Sequence, residues 1–374
     1  MPFDADIIVI GAGVIGLAVA ATLARAHRET FILEKNETFG KETSSRNSGT
    51  IHTGIMSPSG SFNAKLCLAG NPLIYEICEK YSVNYRKTGK LIVACNDSEV
   101  IALEALYKRK VEGIEMKLIS KNELQELEPE VNGEAALLLP EAGVIDAWGL
   151  MSCFLGIAVE KGSHLVCNTE VIGIDKAGEA YRVHYGDSNG VSSIKTRVII
   201  NCAGLNSDTV AAMAGIDISK KGFHHSFFKG EYYSVCSGKA RRMKKRLVYP
   251  VPRSGGVTGI HSVLDVDGRV RLGPDFYQVD KIDYSIGDFR KKIFYKSVKK
   301  LFPFIDLDDI EPESAGIMPR IYSEKEKFIE FRIRNENEKG LNGFINLEGI
   351  GSPGLTASPA IARHVSKLVE EILN

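Results

Sequence analysis

Glycines and one carboxylate carry the first chemistry in this chain. Gly11-Ala12-Gly13-Val14-Ile15-Gly16 has the spacing G-x-G-x-x-G, directly after the apolar run Asp6-Ile7-Ile8-Val9-Ile10. Gly11 allows a tight turn there, Gly13 lets the backbone approach a pyrophosphate, and Gly16 lets the following helix pack against strands. The helix that starts at Val14 and Ile15 offers free N–H groups and a partial positive charge to phosphates. Glu34 closes the next apolar run, Thr30-Phe31-Ile32-Leu33, where a carboxylate can take ribose hydroxyls. The expectation is dinucleotide binding, with NAD and FAD both open. Near the other end, Gly349, Gly351 and Gly354 flank a second helix start, with Ser352 and Thr356 beside them. That is a second site suited to stabilising negative charge.

Further segments, in order along almost the whole chain, separate the two cofactors. Thr43-Ser44-Ser45-Arg46-Asn47-Ser48-Gly49-Thr50-Ile51-His52-Thr53-Gly54 resembles the flavin-contacting loop of the D-amino-acid-oxidase-like FAD-dependent oxidoreductases. Within that superfamily the chain most resembles the L-2-hydroxyglutarate dehydrogenase/oxidase group. The resemblance is carried by Lys65-Leu66-Cys67, Gly89-Lys90-Leu91-Ile92-Val93-Ala94, Gly143-Val144-Ile145-Asp146, the run from Asn201 to Asp208 and Phe228-Lys229-Gly230-Glu231-Tyr232-Tyr233. It continues through Tyr249-Pro250-Val251-Pro252, Gly259-Ile260-His261, Leu272-Gly273-Pro274, Ala315-Gly316-Ile317 and Gly351-Ser352-Pro353-Gly354-Leu355-Thr356. The resemblance implies an FAD cofactor. It assigns cofactor contacts, beyond those above, to Lys35, Ser44, Ser45, Asn47, Ser48, Gly49, Val171, Ala203, Gly204, Asp208, Pro353 and Leu355.

For such an enzyme the protein must hold the substrate carboxylate, remove the hydroxyl proton and place the carbon hydrogen for transfer. Histidine is the commonest base near neutral pH. His52 lies in the flavin-loop motif and His261 on a strand-like run. Either can serve; the expectation leans to His261 as base and His52 in flavin positioning. The adjacent His224 and His225 cannot both face inward on a strand, and read as a solvated pair. No H-x-x-H or H-E-x-x-H occurs, so no metal is expected. Lys229, Tyr249 and Arg320 are candidates for the carboxylate clamp. Two departures from the family pattern bear on the substrate. Met318 stands where many relatives carry arginine, with Arg320 two residues on, on the same side of a strand. Met56-Ser57 stands where the hydroxyglutarate group often has paired tyrosines. The function expected is oxidation of a small 2-hydroxy acid to the 2-oxo acid. Amino-acid or amine oxidation, glycerol 3-phosphate oxidation and a non-catalytic flavoprotein module are the alternatives. The electron acceptor is a quinone, a carrier or O2.

Elements must hold these residues in place. The strand–glycine–helix–strand opening is a βαβ unit, with strands at 6–10 and 30–34 and a helix from Val14 to Ala26. Helices are expected over 62–81, 100–111, 148–160, 207–214, 290–301 and 353–373, and strands near 90–94, 165, 171, 181, 198 and 343–348. Ser120-x-x-Glu123 has the form of a capping box. The fold class expected is α/β: a doubly wound Rossmann-type FAD domain (1–82, 145–220 and 341–374) with a β-sheet-rich substrate domain (83–144 and 221–340) capping the flavin.

The 374 residues allow two domains. Lys+Arg and Asp+Glu are 47 each, a balance that argues against general nucleic-acid binding. No apolar run reaches the roughly 18 residues of a membrane span, and the acidic start lacks the basic opening of a secretory signal. A cytoplasmic location follows, with peripheral membrane contact open. Lys239-Ala240-Arg241-Arg242-Met243-Lys244-Lys245-Arg246 and the basic segment 290–300 read as solvated surface, or as a patch for anionic lipid or an acidic partner. Cys67, Cys78, Cys95, Cys153, Cys167, Cys202 and Cys236 are read as mostly buried, reduced thiols.

Overall fold

The structure is a computed structural model and describes residues 3–109, 111–219, 224–243, 245–252, 259–321 and 330–373. The chain forms two compact units. One contains Met1–Ser45, Ala147–Phe227 and Met318–Asn374; the other contains Arg46–Asp146 and Phe228–Ile317.

The first unit is built on an eight-stranded sheet. At its centre the buried, β-branched strand Ala5–Ile10 pairs in parallel with Thr30–Leu33 on one side and Gly190–Asn201 on the other. Parallel pairing continues to Ser163–Val166 at one edge and to Leu341–Glu348 beyond Asn201. Parallel strands need crossover helices. Val14–Leu23 is the first of these, and it packs against both Ala147–Glu160 and Gly354–Leu373. This is the expected Rossmann-type arrangement. An antiparallel extension, Glu170–Ala177 and Ala180–Asp187, joins through the first half of Gly190–Asn201. The first helix stops at Leu23, short of the expected Ala26, because Ala24 is extended.

The second unit holds two four-stranded sheets and one of three strands. In the first sheet, His261–Leu264, Val270–Val279, His225–Val235 and Ile310–Ile321 are neighbours. In the second, Leu247–Pro250 runs parallel to Lys90–Ala94, which pairs antiparallel with Ala135–Leu139, and that strand with Lys117–Ser120. Leu91, Val93, Leu137, Leu247, Leu264, Leu272 and Phe294 share one core. Burying each such side chain contributes about 1.5–3 kcal/mol. The capping box at Ser120 and Glu123 is present and opens the helix Lys121–Leu127.

The expected domain boundaries shift in two places. Residues 46–82 belong to the second unit: Ile55 joins its core, and helix Phe62–Tyr81 is tied to it by Asn71 and Tyr75, which both donate to the Glu141 carbonyl at 3.0 and 3.1 Å. The segment after Ile317 belongs to the first unit, because Arg332–Glu336 pairs antiparallel with Leu341–Glu348. The expected boundary at 220/221 lies outside the described residues. Among the described residues no helix is long and apolar enough to cross a membrane.

Candidate active site

The glycine-rich turn is built as its spacing demands. Gly11 has φ +98°, and a Cβ there would stand 2.6 Å from the Cys202 carbonyl oxygen. A Cβ on Gly16 would stand 2.0 Å from the Gly11 oxygen, so the helix lies against the turn as only glycine permits. Glu34 is buried. One of its carboxylate oxygens accepts from the Ala12 N–H at 2.8 Å, the other from the Asn36 backbone and side chain at 2.9 and 2.7 Å. Ser44 Oγ accepts from the Val14 N–H at 3.0 Å and is also the nearest atom to Gly13. Gly13 supplies no capping side chain of its own at this helix start. A pyrophosphate-bearing cofactor fits this turn. Its backbone carries no Cβ at the two closest approaches, and a carboxylate with lone pairs beyond those used here lies next to it.

The other expected cofactor contacts of this unit fall at strand and helix ends. Val171 is buried on Glu170–Ala177, and Ala203 and Gly204 follow Asn201. Lys35 pairs with Glu42 at 3.3 Å, and Ser45 donates to the Glu42 carbonyl. Asp208 is engaged by its own chain, accepting from the His225 N–H at 3.1 Å beside both the His224 and His225 rings. Gly351 lets Met318 approach, its absent Cβ being 3.0 Å from the thioether sulfur. Gly354 to Thr356 then open the last helix behind Pro353. Met318 is buried and Arg320 exposed, so strand parity does not give them the same surroundings. Desolvation by neighbouring protein lowers the Arg320 guanidinium from its ordinary range.

In the second unit the structure gathers titratable groups from four distant segments. The Asn47–Gly49 turn is braced by its own side chains: Asn47 Oδ1 accepts from the Gly49 N–H at 2.7 Å, and Ser48 Oγ donates to Thr50 at 3.0 Å. His52 follows. Its carbonyl accepts from Asn71 Nδ2 at 2.9 Å and from the Cys67 thiol at 3.6 Å, fixing the backbone. The ring keeps an accessible face although it lies deep in the protein. Desolvation holds it well below the usual imidazole range, and the neighbouring Lys90 and His261 push the same way. His261, 4% exposed, stacks on Tyr249 with ring centres 3.6 Å apart and bonds the Gly259 carbonyl through Nδ1 at 2.9 Å. Burial lowers it to about 3, against the effect of that bond. Both imidazoles are therefore neutral at pH 7, the form that accepts a proton.

Lys90 is the residue that sequence reasoning passed over, quoting it only as part of a motif. It is fully buried, with Nζ 4.7 Å over the Tyr249 ring. Desolvation brings it down to about 8. The available signal was a lysine heading an otherwise apolar strand, Leu91-Ile92-Val93-Ala94. Of the expected substrate clamps, Tyr249 joins this cluster, whereas Lys229 is buried and donates to the Ser285 carbonyl.

One surface expectation is revised and two are refined. His224 and His225 are not a solvated pair: His224 is exposed, but His225 heads a strand and is buried against Asp208. The cysteines are free thiols, of which Cys67, Cys78 and Cys202 are buried and Cys236 is exposed. Much of the basic tract is neutralised within the chain. Lys239 pairs with Asp309 at 3.4 Å, Arg246 with Glu128 at 3.3 Å, and Arg242 with Glu130. Lys244 lies outside the described residues. The helix Lys291–Val298 turns Phe294 and Val298 inward, and Lys291 pairs with Glu311 at 2.8 Å.

Comparison with known proteins matches the family model described as DAO, FAD dependent oxidoreductase, over residues 6–368. The chain is 33% identical to the mitochondrial L-2-hydroxyglutarate dehydrogenase of Arabidopsis thaliana, over 96% of this chain and 82% of that protein. It is 28% identical to the glycerol 3-phosphate dehydrogenase of Caloramator mitchellensis, over 98% and 74%. Among solved structures, the dithionite-reduced L-alpha-glycerophosphate oxidase of Mycoplasma pneumoniae with FAD bound superposes with a TM-score of 0.84 at 27% identity. That match covers 98% of this chain and 94% of the other.

Proposed function

Because the chain belongs to the DAO family of FAD-dependent oxidoreductases, we propose that it oxidises a small 2-hydroxy acid of the L-2-hydroxyglutarate type to the 2-oxo acid. The substrate class is supported by the similarity to the Arabidopsis dehydrogenase along nearly the whole chain. The chemistry is carried by one observation: His52 keeps an accessible ring face on a backbone fixed by Asn71, and desolvation favours the neutral form of its imidazole. When bound, FAD supplies the acceptor for the hydride equivalent that leaves the substrate carbon. The hydroxyl proton goes to His52 and the carbon–oxygen double bond forms between those two departures. Accessibility favours His52 over the buried His261 as base, the reverse of the leaning drawn from sequence. His261, stacked on Tyr249, acts as the wall against which the site is set. Arg320 is the cation we propose for the substrate carboxylate, because a guanidinium can make bidentate bonds. The electrons leave to a quinone, a carrier or O2.

The test is product formation across a donor panel. L-2-hydroxyglutarate should give the 2-oxo acid with a kcat/KM well above those of glycerol 3-phosphate and of amino acids. Arg320→Ala should raise KM for the acid; an unchanged KM removes Arg320 from the clamp. A second reading, glycerol 3-phosphate oxidation, is favoured by the likeness to the Caloramator and Mycoplasma proteins, and preferential turnover of that donor would install it.

A further inference from the structure

The antiparallel strands His261–Leu264 and Val270–Val279 carry different chemistry on their two faces. Leu264, Val270 and Leu272 join the core of the second unit. Residues directly opposite one another share a face. His261 stands opposite Gly273 and Val263 opposite Arg271, so His261 and Arg271 lie together on the other face, as diagonal neighbours. Such neighbours are about 7–8 Å apart at the backbone, within reach of a long side chain. The room left by Gly273 is taken by Tyr232 of the adjoining strand His225–Val235: a Cβ on Gly273 would stand 3.0 Å from the Tyr232 Cδ1. The Arg271 guanidinium lies 5.0 Å from the centre of that ring. It also reaches the turn that leads to His52, where Nη2 donates to the Asn47 carbonyl at 3.5 Å. Arg271 thus stands between the strand of His261 and the loop of His52.

The guanidinium is underused where it stands. It has five N–H donors, and among the described residues its hydrogen bonding is that one contact, at the long limit of such bonds. The carboxylate that faces it is Glu313, 3.9 Å from Nε and too far for a hydrogen bond. Glu313 lies closer to Arg269, at 3.2 Å. One carboxylate therefore faces two guanidiniums, and positive charge is left over. The Arg271 side chain is 17% exposed, whereas Nζ of Lys90 is enclosed, so a ligand can reach the first and not the second. A half-buried guanidinium with donors to spare suits an anion, and a planar carboxylate fits its fork with two parallel bonds.

We propose that Arg271 is a substrate-binding residue: its half-buried guanidinium holds a carboxylate of the donor on the sheet face that carries His261. The inference rests on the reading of the donor as a 2-hydroxy acid. A donor of the L-2-hydroxyglutarate type has two carboxylates, so Arg271 adds to Arg320 and does not replace it. The long bond to Asn47 is one that an arriving carboxylate can displace at little cost, because a charge-assisted pair is stronger than a neutral acceptor at that distance.

The full-length holoprotein carrying Arg271→Met tests this. KM for L-2-hydroxyglutarate should rise about 10- to 100-fold, the factor that a charge-assisted pair supplies, and by more than kcat falls. The visible spectrum should show the parental flavin content. An unchanged KM overturns the proposal. So does a rise in KM accompanied by loss of flavin, which assigns Arg271 to bracing the Asn47 turn alone. A second readout needs no turnover. Glutarate, a dicarboxylate without the hydroxyl, is titrated by calorimetry into the oxidised parent and variant. The parent should bind it about 10- to 100-fold more tightly; equal affinities, or binding to neither, overturn the proposal. If Arg271→Met does not fold, Arg271→Gln carries the same two readouts. Failure of the donor reading is seen separately, as a parent that turns over no 2-hydroxy acid. The glutarate titration then judges Arg271 alone.

Discussion

His52, His261 and Lys90 show what single residues contribute and what their sequence neighbours disclose. Both histidines were identifiable from the segments around them. Lys90 was not, because its meaning lies in neighbours 38 positions before it and 171 after it in the chain. Only folding brings those neighbours together. The base assignment gives a first expectation: His52→Gln should lower kcat about 10²- to 10⁴-fold while the purified protein keeps its flavin, as its visible spectrum reports. Burial gives a second. His261 is held at about 3 when folded, whereas the unfolded chain protonates it near its ordinary 6.5. Its stabilising contribution is therefore complete above pH 6.5 and is lost as pH falls towards 3, by about 1.4 kcal/mol per pH unit. Melting temperatures of His261→Asn should fall less steeply between pH 6 and 4 than the parent's. For Lys90, lowered from 10.5 to about 8, the unfolded chain binds more protons between those values. The parent should therefore gain stability relative to Lys90→Met as pH rises through that window, read as the difference between their unfolding free energies at each pH.

Elements were legible where a local pattern decides them. The strand Ala5–Ile10, the turn at Gly11, the helix after it and the capping box at Ser120 follow from spacing alone. Pairing between distant strands does not. Arg332–Glu336, which sets its segment in the first unit, has no periodic signature and is defined by its partner Leu341–Glu348. Two tests belong at this scale. Gly16→Ala would put a Cβ 2.0 Å from a backbone oxygen, so the turn must open; the expected outcome is protein purified without flavin and with a lowered melting temperature. On the paired strands, Glu348 is fully buried, bonded to Arg332 at 3.2 Å and raised to about 7 by desolvation. Arg332→Met leaves that carboxyl without its cation and should cost about 3–5 kcal/mol in urea unfolding above pH 7. Glu348→Gln should be close to neutral, and should also abolish the loss of stability that Glu348 imposes as pH rises from 4.5 to 7.

At the scale of the whole chain, the alternation of segments between two units was visible in outline, since nucleotide-binding signals stood at both ends of the sequence. The crossing points were not. Residues 46–82 continue in sequence from the first unit's βαβ opening, and only the burial of Ile55 in the second unit's core and the Asn71 bond to the Glu141 carbonyl assign them to it. The division gives each unit its own task. The first carries the glycine turn and Glu34, the second the cluster of His52, Lys90, Tyr249 and His261, in a chain of the DAO family of FAD-dependent oxidoreductases. The measurement that meets this account most directly is the visible spectrum of the purified protein, recorded without oxygen before and after L-2-hydroxyglutarate is added. The account predicts an oxidised flavin spectrum that bleaches promptly, with one equivalent of 2-oxo acid formed per flavin. A flavin that remains oxidised with this donor, yet bleaches with glycerol 3-phosphate or an amino acid, contradicts it.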